Sequence, residues 1–418
     1  MKSIVHLPCT LVSMVSRAAP LRRDAVVRSV GWVTAGTLLA NVLAYVVQVP
    51  ASRLLGPDGY GEFAVLGAAM LVASVPALAL QAVIARQVVR GSSPARLRRL
   101  IGVVFLAVAA LSVVATLVMM AVARTGPAAT AASLSSAAPL AVIAGGQGFL
   151  QGAGRFRLLG SVLAAVGILR SVPVIGAVVA GADATGALLA GTLGTVVAAI
   201  AVGVIATREG VPGDRLRDVE VSASAVLAAS GVQFVMIVAV SVDLLLSRAV
   251  LSPADAGVYA LGAVATKAAF WLPQAIGVVA YPRLADPVRS AAALRRAVAV
   301  LAAIGAGLTV LAAVGGPLVP IVISDDYRGV AGLMWAFALA GALLAVLQLM
   351  LLTAIARNRA RGALPALAVL VVEVVVIVTA VGSVTGLVAV SVIAAACAVA
   401  ATAAWLTLER SGRGPDRI

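Results

Sequence analysis

Four ionisable side chains lie inside long apolar stretches of the sequence: Arg170, Asp243, Lys267 and Glu373. A charged side chain at the centre of a bilayer costs about 2.5–3.5 kcal/mol on insertion scales, so such residues face a cavity or one another. Arginine offers a planar fork of donors that matches phosphate oxygens, and lysine adds a compact positive charge. We predict that Arg170 and Lys267 bind an anionic group in a cavity, and that Asp243 and Glu373 have a coupling or gating role.

Purely structural roles compete with this interpretation. Arg170 and Glu373 both lie near the middle of an apolar stretch, so they could form an ion pair with each other. Asp243 lies five residues before Arg248 near the end of its stretch, which favours a salt bridge at the rim or in a gate. Arg53 and Arg248 end corresponding stretches and are further candidates for binding a substrate at the rim of the cavity.

The residues that follow Lys267 form a second pattern. Trp271 and Gln274 come at helical spacing, so a cation, an aromatic ring and an amide share one face of a helix. Such a face could stack on a sugar and hydrogen-bond to it. An interfacial aromatic residue with packed neighbours gives the same pattern, and the sequence leaves both interpretations open.

A polar stripe follows one face of the first apolar stretch. Asn41, Tyr45, Gln48 and Ser52 are separated by four, three and four residues, which places them in one line along a helix. Polar side chains gain nothing from facing lipid, so this stripe lines a cavity or hydrogen-bonds a partner helix. We count Asn41, Tyr45 and Gln48 among the candidate binding residues.

Two further glutamines have a different setting. Gln147 and Gln151 lie among five glycines within ten residues. Small residues allow helices to approach closely in a membrane. We therefore expect this pair to lie in a helix–helix contact.

These residues must be positioned by membrane-spanning helices. Hydrophobic residues make up 62% of the chain and charged residues 11%, with a mean hydropathy of +1.12. Such a chain lacks the polar residues to cover a water-facing surface, which excludes a soluble domain. We predict an all-α polytopic membrane protein whose spans are long enough to cross a hydrocarbon core of about 30 Å. The twelve spans are 28–50, 62–85, 100–123, 134–154, 158–180, 185–206, 222–246, 257–281, 297–323, 330–354, 364–382 and 386–408.

The distribution of basic residues sets the orientation. With the chain divided in this way, twenty-five of its thirty-one Lys and Arg residues fall on one side of the membrane. The other side has only Arg53, Arg124, Arg248 and Arg328. By the positive-inside rule both termini are cytoplasmic. The basic residues are dispersed over seven short loops, so they indicate topology and contact with anionic lipids, and not binding of nucleic acid.

Several classes of function are disfavoured. Cys9 and Cys397 are too few for a disulfide framework, and His6 is the single histidine, so we expect no metal site and no cofactor. No phosphate-binding loop and no arrangement for nucleophilic catalysis is present, and the predicted outer loops are short. We predict that the protein is not an enzyme.

An internal repeat divides the chain into two halves. The segment 55–64 matches 251–260 at an offset of 196, and two pairs of arginines match at offsets of 197 and 202. We predict two six-helix lobes in a parallel repeat. The predicted organisation is a cytoplasmic tail (1–27), an N-lobe (28–206), a cytoplasmic linker (207–221), a C-lobe (222–408) and a cytoplasmic tail (409–418).

The same segments carry a family resemblance. The string from Arg53 to Phe63, RLLGPDGYGEF, and its echo at 243–259 resemble the signature of the polysaccharide-biosynthesis transporters. The strings WLPQ at 271–274 and YPRL at 281–284 are similar to that family as well. The resemblance, which covers most of the chain from about residue 28 to residue 361, is to the oligosaccharide-lipid flippases (Wzx-type) of the MATE-like MOP superfamily.

This resemblance implies a V-shaped transporter with two lobes, working by alternating access in the bacterial cytoplasmic membrane. Its substrate would be a polyprenyl-diphosphate-linked oligosaccharide, moved from the inner to the outer leaflet. Membrane lipids, and a glycosyltransferase and polymerase of the same pathway, would be its partners, and we expect a monomer. Relatives handle drugs, teichoic-acid precursors or lipid II, and lipid II flippases usually have fourteen spans. The alternatives are a cation-coupled multidrug exporter and a non-transport scaffold for glycan assembly.

Overall fold

The computed structural model describes residues 23–208, 233–271, 290–356 and 363–411, and nearly all of them are helical. The main helices are α1 (Arg23–Val46), α2 (Gln48–Ala73), α3 (Val75–Val89), α4 (Pro94–Val122), α5 (Pro127–Leu134), α6 (Pro139–Gly152), α7 (Phe156–Val179), α8 (Ala184–Arg208), α9 (Val242–Val250), α10 (Pro253–Trp271), α11 (Ser290–Gly315), α12 (Met334–Ala356), α13 (Leu364–Ala380) and α14 (Val384–Ser411). Short helical turns at 316–322 and 325–331 connect α11 to α12.

The apolar helices confirm the predicted class. Within the described ranges, nine segments are long and apolar enough to cross a membrane, and Val75–Val89 and Leu364–Ala380 are shorter apolar helices. The protein is therefore a multi-pass α-helical membrane protein. The total of twelve spans, the two-lobe boundaries and the cytoplasmic termini stay predictions, and most of the linker 207–221 lies outside the described residues. We use N-lobe for α1–α8 and C-lobe for α9–α14.

The connection between the first two spans differs from the prediction. We expected a loop at 51–61, but helix continues through this segment and is interrupted only at Gly56, which has φ 67° and ψ 175°. That conformation is almost restricted to glycine, and the following Pro57 has no N–H to continue the helical ladder. The polar residues that suggested a loop, including Arg53 and Asp58, lie on the helical segments on either side of the break.

The C-lobe contains the corresponding turn. Helix α9 ends at Val250, Leu251 is extended, and α10 begins at Pro253. Ser252 caps α10, since its hydroxyl accepts from the Asp255 N–H at 3.1 Å and donates to the Asp255 carboxylate at 2.7 Å. The two halves of the repeat therefore share a tight turn that begins a proline-led helix.

Glycines on α6 pack against α3, as predicted for this segment. A Cβ at Gly152 would lie 2.6 Å from the carbonyl oxygen of Ala85, and one at Gly148 would collide with the carbonyl oxygen of Gln81. Gln81 donates to Gln151 across the same contact at 3.1 Å. This face of α6 is a packing surface.

Candidate functional site

Asp243 lies at a break in a membrane helix. Helical residues 233–239 are followed by a turn at Val240 and Ser241, and α9 then begins. The positive end of a helix dipole and free N–H groups favour a carboxylate at such a position, and the Leu244 N–H donates to Asp243 Oδ1 at 2.7 Å. Asp243 is 5% exposed, and the hydroxyl of Ser241 is buried without a hydrogen-bond partner.

Side chains from three other helices surround this carboxylate. The hydroxyl of Tyr259 on α10 donates to Asp243 Oδ2, and Ser391 Oγ on α14 lies 3.2 Å from the same oxygen. Glu373 on α13 and Lys267 on α10 are close enough to act on Asp243 electrostatically. We call these five residues, Asp243, Tyr259, Lys267, Glu373 and Ser391, the C-lobe cluster.

The charges of the C-lobe cluster do not balance. Two carboxylates face one ammonium group, so the ionised cluster carries one negative charge in excess. Glu373 is buried, and among the described residues it has no hydrogen-bond partner. Burial of an uncompensated charge is costly. A proton or another cation that enters the cluster would balance the charge, which is the chemistry that ion coupling requires.

Arg170 lies in the other lobe, on α7. Its neighbours Gly160 and Gly167 on α7 pack against α1, and Leu169 packs against Gly194 of α8. The exposed positions of α7, such as Ile168 and Val172, are on the opposite side. Arg170 therefore points away from lipid. Within the described residues its guanidinium forms no ion pair and no hydrogen bond, so the alternative of an ion pair with Glu373 is not observed.

The polar stripe of α1 lies between two other faces of the helix. Gly36 and Ala40 pack against α7, and Leu38 and Val42 are exposed in the direction expected for lipid. The stripe occupies the remaining side, because its members follow at helical spacing. The stripe continues past the turn at Val47 to Gln48, the first residue of α2, which accepts a hydrogen bond from the hydroxyl of Tyr60 at 3.0 Å. Asn41 is exposed and Tyr45 half-buried, so these two members of the stripe are free to contact a substrate, whereas Ser52 is fully buried.

The two rim arginines differ in their partners. Arg248 donates to the Asp58 carboxylate at 2.9 Å and to its carbonyl oxygen at 3.1 Å. The expected salt bridge between Asp243 and Arg248 is not formed, because residues five apart project from different sides of a helix. Arg53 is exposed and has no ion-pair partner among the described residues.

The aromatic candidate packs in the interior of the C-lobe. The rings of Trp271 and Phe270 meet edge to face, with centroids 5.1 Å apart, and Trp271 packs against the apolar cluster around Met236. This favours the packing interpretation of Trp271. Gln274 lies outside the described residues.

Sequence reasoning missed Tyr259, Ser391 and Asp58. Tyr259 and Asp58 lie in the two repeat segments that carry the family resemblance. That resemblance gives no information about the hydrogen bonds that these two side chains make. Ser391 gave no signal, because one serine in an apolar helix is common. Its importance depends on a contact with a residue 148 positions away in sequence.

Comparisons with known proteins find similar architectures among solved structures. No family model matches the chain, and no curated protein matches it. Among solved structures, an inward-facing multidrug resistance MATE family transporter of the MOP superfamily is 13% identical, with a TM-score of 0.65 over 89% of this chain and 96% of that one. The lipid II flippase MurJ in an inward closed conformation is 11% identical, with a TM-score of 0.62 over 89% and 86%.

A third solved structure, the eukaryotic MATE transporter AtDTX14, is 14% identical, with a TM-score of 0.60 over 91% of this chain and 95% of that one. At these identities the likeness concerns the fold. It extends over nearly the whole of each chain and includes two MATE transporters and a flippase. The chain is therefore similar in fold to transporters of the MOP superfamily.

Proposed function

We propose that the protein is a flippase, which moves a polyprenyl-diphosphate-linked oligosaccharide from the inner to the outer leaflet of the bacterial cytoplasmic membrane. Alternating access between the two lobes would expose the binding residues first to one side and then to the other. The diphosphate is the charged part of such a substrate, the sugar its polar part, and the prenyl chain would stay in lipid.

Arg170 carries this proposal. An arginine that points away from lipid and has no counter-charge among the described residues is unfavourable in an empty transporter. Bound phosphate would remove the imbalance, because a guanidinium can donate two parallel hydrogen bonds to its oxygens. An exporter of cationic drugs would gain nothing from a positive charge at this place.

The α1 stripe supports the sugar part of the proposal. Asn41 and Gln48 have amide groups that both donate and accept, and Tyr45 adds a hydroxyl beside an apolar ring. Sugar hydroxyls need such mixed partners, and aromatic rings stack on their apolar faces. The stripe therefore offers polar contacts at several points, from α1 to the start of α2.

The C-lobe cluster favours a second candidate function, a cation-coupled multidrug exporter. Asp243 and Glu373 are acidic residues in an apolar lobe, and their excess charge suits uptake of a coupling cation. The same cluster is compatible with a flippase driven by an ion gradient, so it does not decide the substrate. Lys267 already neutralises part of the acidic charge, which makes the site less suited to a cationic drug.

A flipping assay tests the proposal. We expect the wild-type protein in proteoliposomes to translocate a fluorescent undecaprenyl-diphosphate oligosaccharide, and Arg170→Ala to reduce the rate at least tenfold, because loss of a charge-assisted hydrogen bond costs about 1.5–3 kcal/mol. Arg170→Lys keeps the charge without the fork and should give an intermediate rate. Arg328→Gln, at an exposed residue paired with Asp325 at 2.7 Å, is the matched control.

Two results would contradict this function. Equal flipping by Arg170→Ala and Arg328→Gln would remove Arg170 from the substrate site. Absence of flipping by the wild type, together with proton- or sodium-driven dye efflux that Asp243→Asn or Glu373→Gln abolishes, would identify a drug exporter.

A further inference from the structure

The two lobes meet closely at one end of the molecule. The contact involves the helices that begin at Pro57 and Pro253, the turn before each of them, and the short helical turn at 325–327. We call the residues that join the lobes there the interlobe seal: Ser52, Asp58, Gly61, Arg248, Gly257 and Tyr327. With both termini cytoplasmic as predicted, the interlobe seal lies at the outer end.

Two glycines allow the helices to touch. A Cβ at Gly61 would lie 2.9 Å from the backbone nitrogen of Gly257, and a Cβ at Gly257 would collide with the carbonyl oxygen of Pro57. Gly61 and Gly257 are equivalent positions of the internal repeat, 196 residues apart. Each half of the repeat therefore contributes its equivalent glycine to the crossing. A larger side chain at either position would hold the lobes apart.

An ion pair spans the lobes beside this crossing. Arg248 of the C-lobe donates to both the carboxylate and the carbonyl oxygen of Asp58 in the N-lobe. The Arg248 side chain is only 9% exposed, while Asp58 is 67% exposed. Parting of the lobes would leave Arg248 without its partner.

A tyrosine makes a second polar link. The hydroxyl of Tyr327 in the C-lobe donates to the carbonyl oxygen of Ser52 in the N-lobe at 2.9 Å, and its ring meets that of Tyr60 edge to face. Burial, with a smaller contribution from Asp326, raises the pKa of Tyr327 above its ordinary value. The hydroxyl therefore keeps its proton and remains a donor at neutral pH.

The ion pair has no counterpart on the other side of the repeat. Arg53 corresponds to Arg248 but is exposed and makes no ion pair within the described residues. Asp255 lies in the first turn of the helix that begins at Pro253, as Asp58 lies in the first turn of the helical segment that begins at Pro57. Asp255 hydrogen-bonds to Ser252 in its own lobe instead. Among the described residues, one interlobe ion pair therefore lies beside the glycine crossing, and not two.

We infer that the interlobe seal is the gate of the transport cycle, and that the Asp58–Arg248 pair is its latch, holding the lobes closed at this end until the substrate is to be released. The inference rests on the transporter fold alone and is independent of which substrate is carried. It also assigns Arg248 to the gate, whereas the sequence suggested a contact with substrate.

Distances between the lobes test this gate. Spin labels at Ala182→Cys and Gly382→Cys, in a full-length chain carrying Cys9→Ser and Cys397→Ser, report on the α7–α8 and α13–α14 turns at the sealed end. Double electron–electron resonance in nanodiscs should give a dominant short-distance population and a minor long-distance fraction for the unmodified seal. Asp58→Asn or Arg248→Gln should increase the long-distance fraction about fivefold, as expected for loss of a partly exposed ion pair.

The repeat supplies matched controls. Arg53→Gln and Asp255→Asn remove the same charges at the same end and should leave the distances unchanged, and the exchange Asp58→Arg with Arg248→Asp should restore the short population. Equal effects of Arg248→Gln and Arg53→Gln, or no lengthening in either latch variant, would overturn the inference. A monodisperse elution profile for each variant excludes unfolding as the cause. Flipping activity does not enter the measurement, so failure of the proposed substrate leaves this result unaffected.

Discussion

At the scale of single residues, Asp243 is a carboxylate within a membrane-spanning segment, and hydrogen-bond donors surround it. Asp243 has the Leu244 N–H and the hydroxyls of Tyr259 and Ser391 within hydrogen-bonding distance. A buried carboxylate is tolerated when its oxygens are satisfied in this way. The hydroxyl of Tyr259 should therefore contribute more to the free energy of unfolding than that of an ordinary buried tyrosine.

Tyr259→Phe should destabilise the protein by about 1.5–3 kcal/mol, because the lost hydrogen bond has a charged acceptor. Tyr60→Phe is a matched control: both side chains are fully buried, but Tyr60 donates to the neutral amide of Gln48, so its loss should cost about 0.5–1.5 kcal/mol. Thermal unfolding in detergent compares the two. A midpoint lowered equally in both variants would show that the Asp243 contact has no special weight.

The sequence predicted which side chains are exceptional but not what they touch. A charged residue in an apolar stretch is visible from hydropathy, so Arg170, Asp243, Lys267 and Glu373 could be named in advance. Their partners come from helices far apart in sequence, and no periodicity connects α9 with α14. Helical geometry alone could have excluded the pair between Asp243 and Arg248, since the two residues do not share a face.

At the scale of the elements, the repeat gives both lobes a turn of one or two residues before a proline-led helix. In the N-lobe that turn depends on Gly56, whose φ of 67° and ψ of 175° few other residues adopt. A Cβ at this position would meet no atom within 4 Å. Any cost of a side chain there is therefore backbone strain alone.

Gly56→Ala should destabilise the protein by about 1–3 kcal/mol, the cost of holding alanine in this backbone region. Gly67→Ala, in the regular part of α2, also has open space at its Cβ and should stabilise by about 0.5–1 kcal/mol, because alanine loses less entropy in a helix. Midpoints of thermal unfolding should move in opposite directions. If both variants are stabilised, α2 forms without the break at Gly56.

The helices themselves were predictable and their breaks were not. Apolar stretches of about twenty residues identify the spans, since a bilayer core has a fixed thickness. Arg53 and Asp58 fall between the predicted spans 28–50 and 62–85, where a loop is expected because charged residues are ordinarily in contact with water. Here Asp58 serves the contact between lobes, which hydropathy does not report.

At the scale of the whole molecule, the two lobes differ in charge although they share one repeat. Arg170 is a cation of the N-lobe without an ion-pair partner in the part of the chain that the structure describes, while the C-lobe cluster contains two acids and one base. In the proposed mechanism these differences separate two tasks, binding of an anionic substrate in one lobe and uptake of a coupling cation in the other. The interlobe seal would couple the two tasks, because the lobes must separate there before the substrate is released.

The glycine crossing allows the seal to be tested by bulk alone. Gly257→Ala introduces a methyl group against the carbonyl oxygen of Pro57 in the other lobe, while Gly341→Ala introduces one against the carbonyl oxygen of Thr266 within the C-lobe. The first collision can be relieved by parting the lobes, whereas the second must distort a packed helix pair.

We expect Gly257→Ala to lengthen the distance between labels at 182 and 382 with little change in the midpoint of thermal unfolding. Gly341→Ala should lower the midpoint and leave that distance unchanged. A lowered midpoint without lengthening in Gly257→Ala would mean that the lobes cannot separate at this crossing, and the gate would have to lie elsewhere.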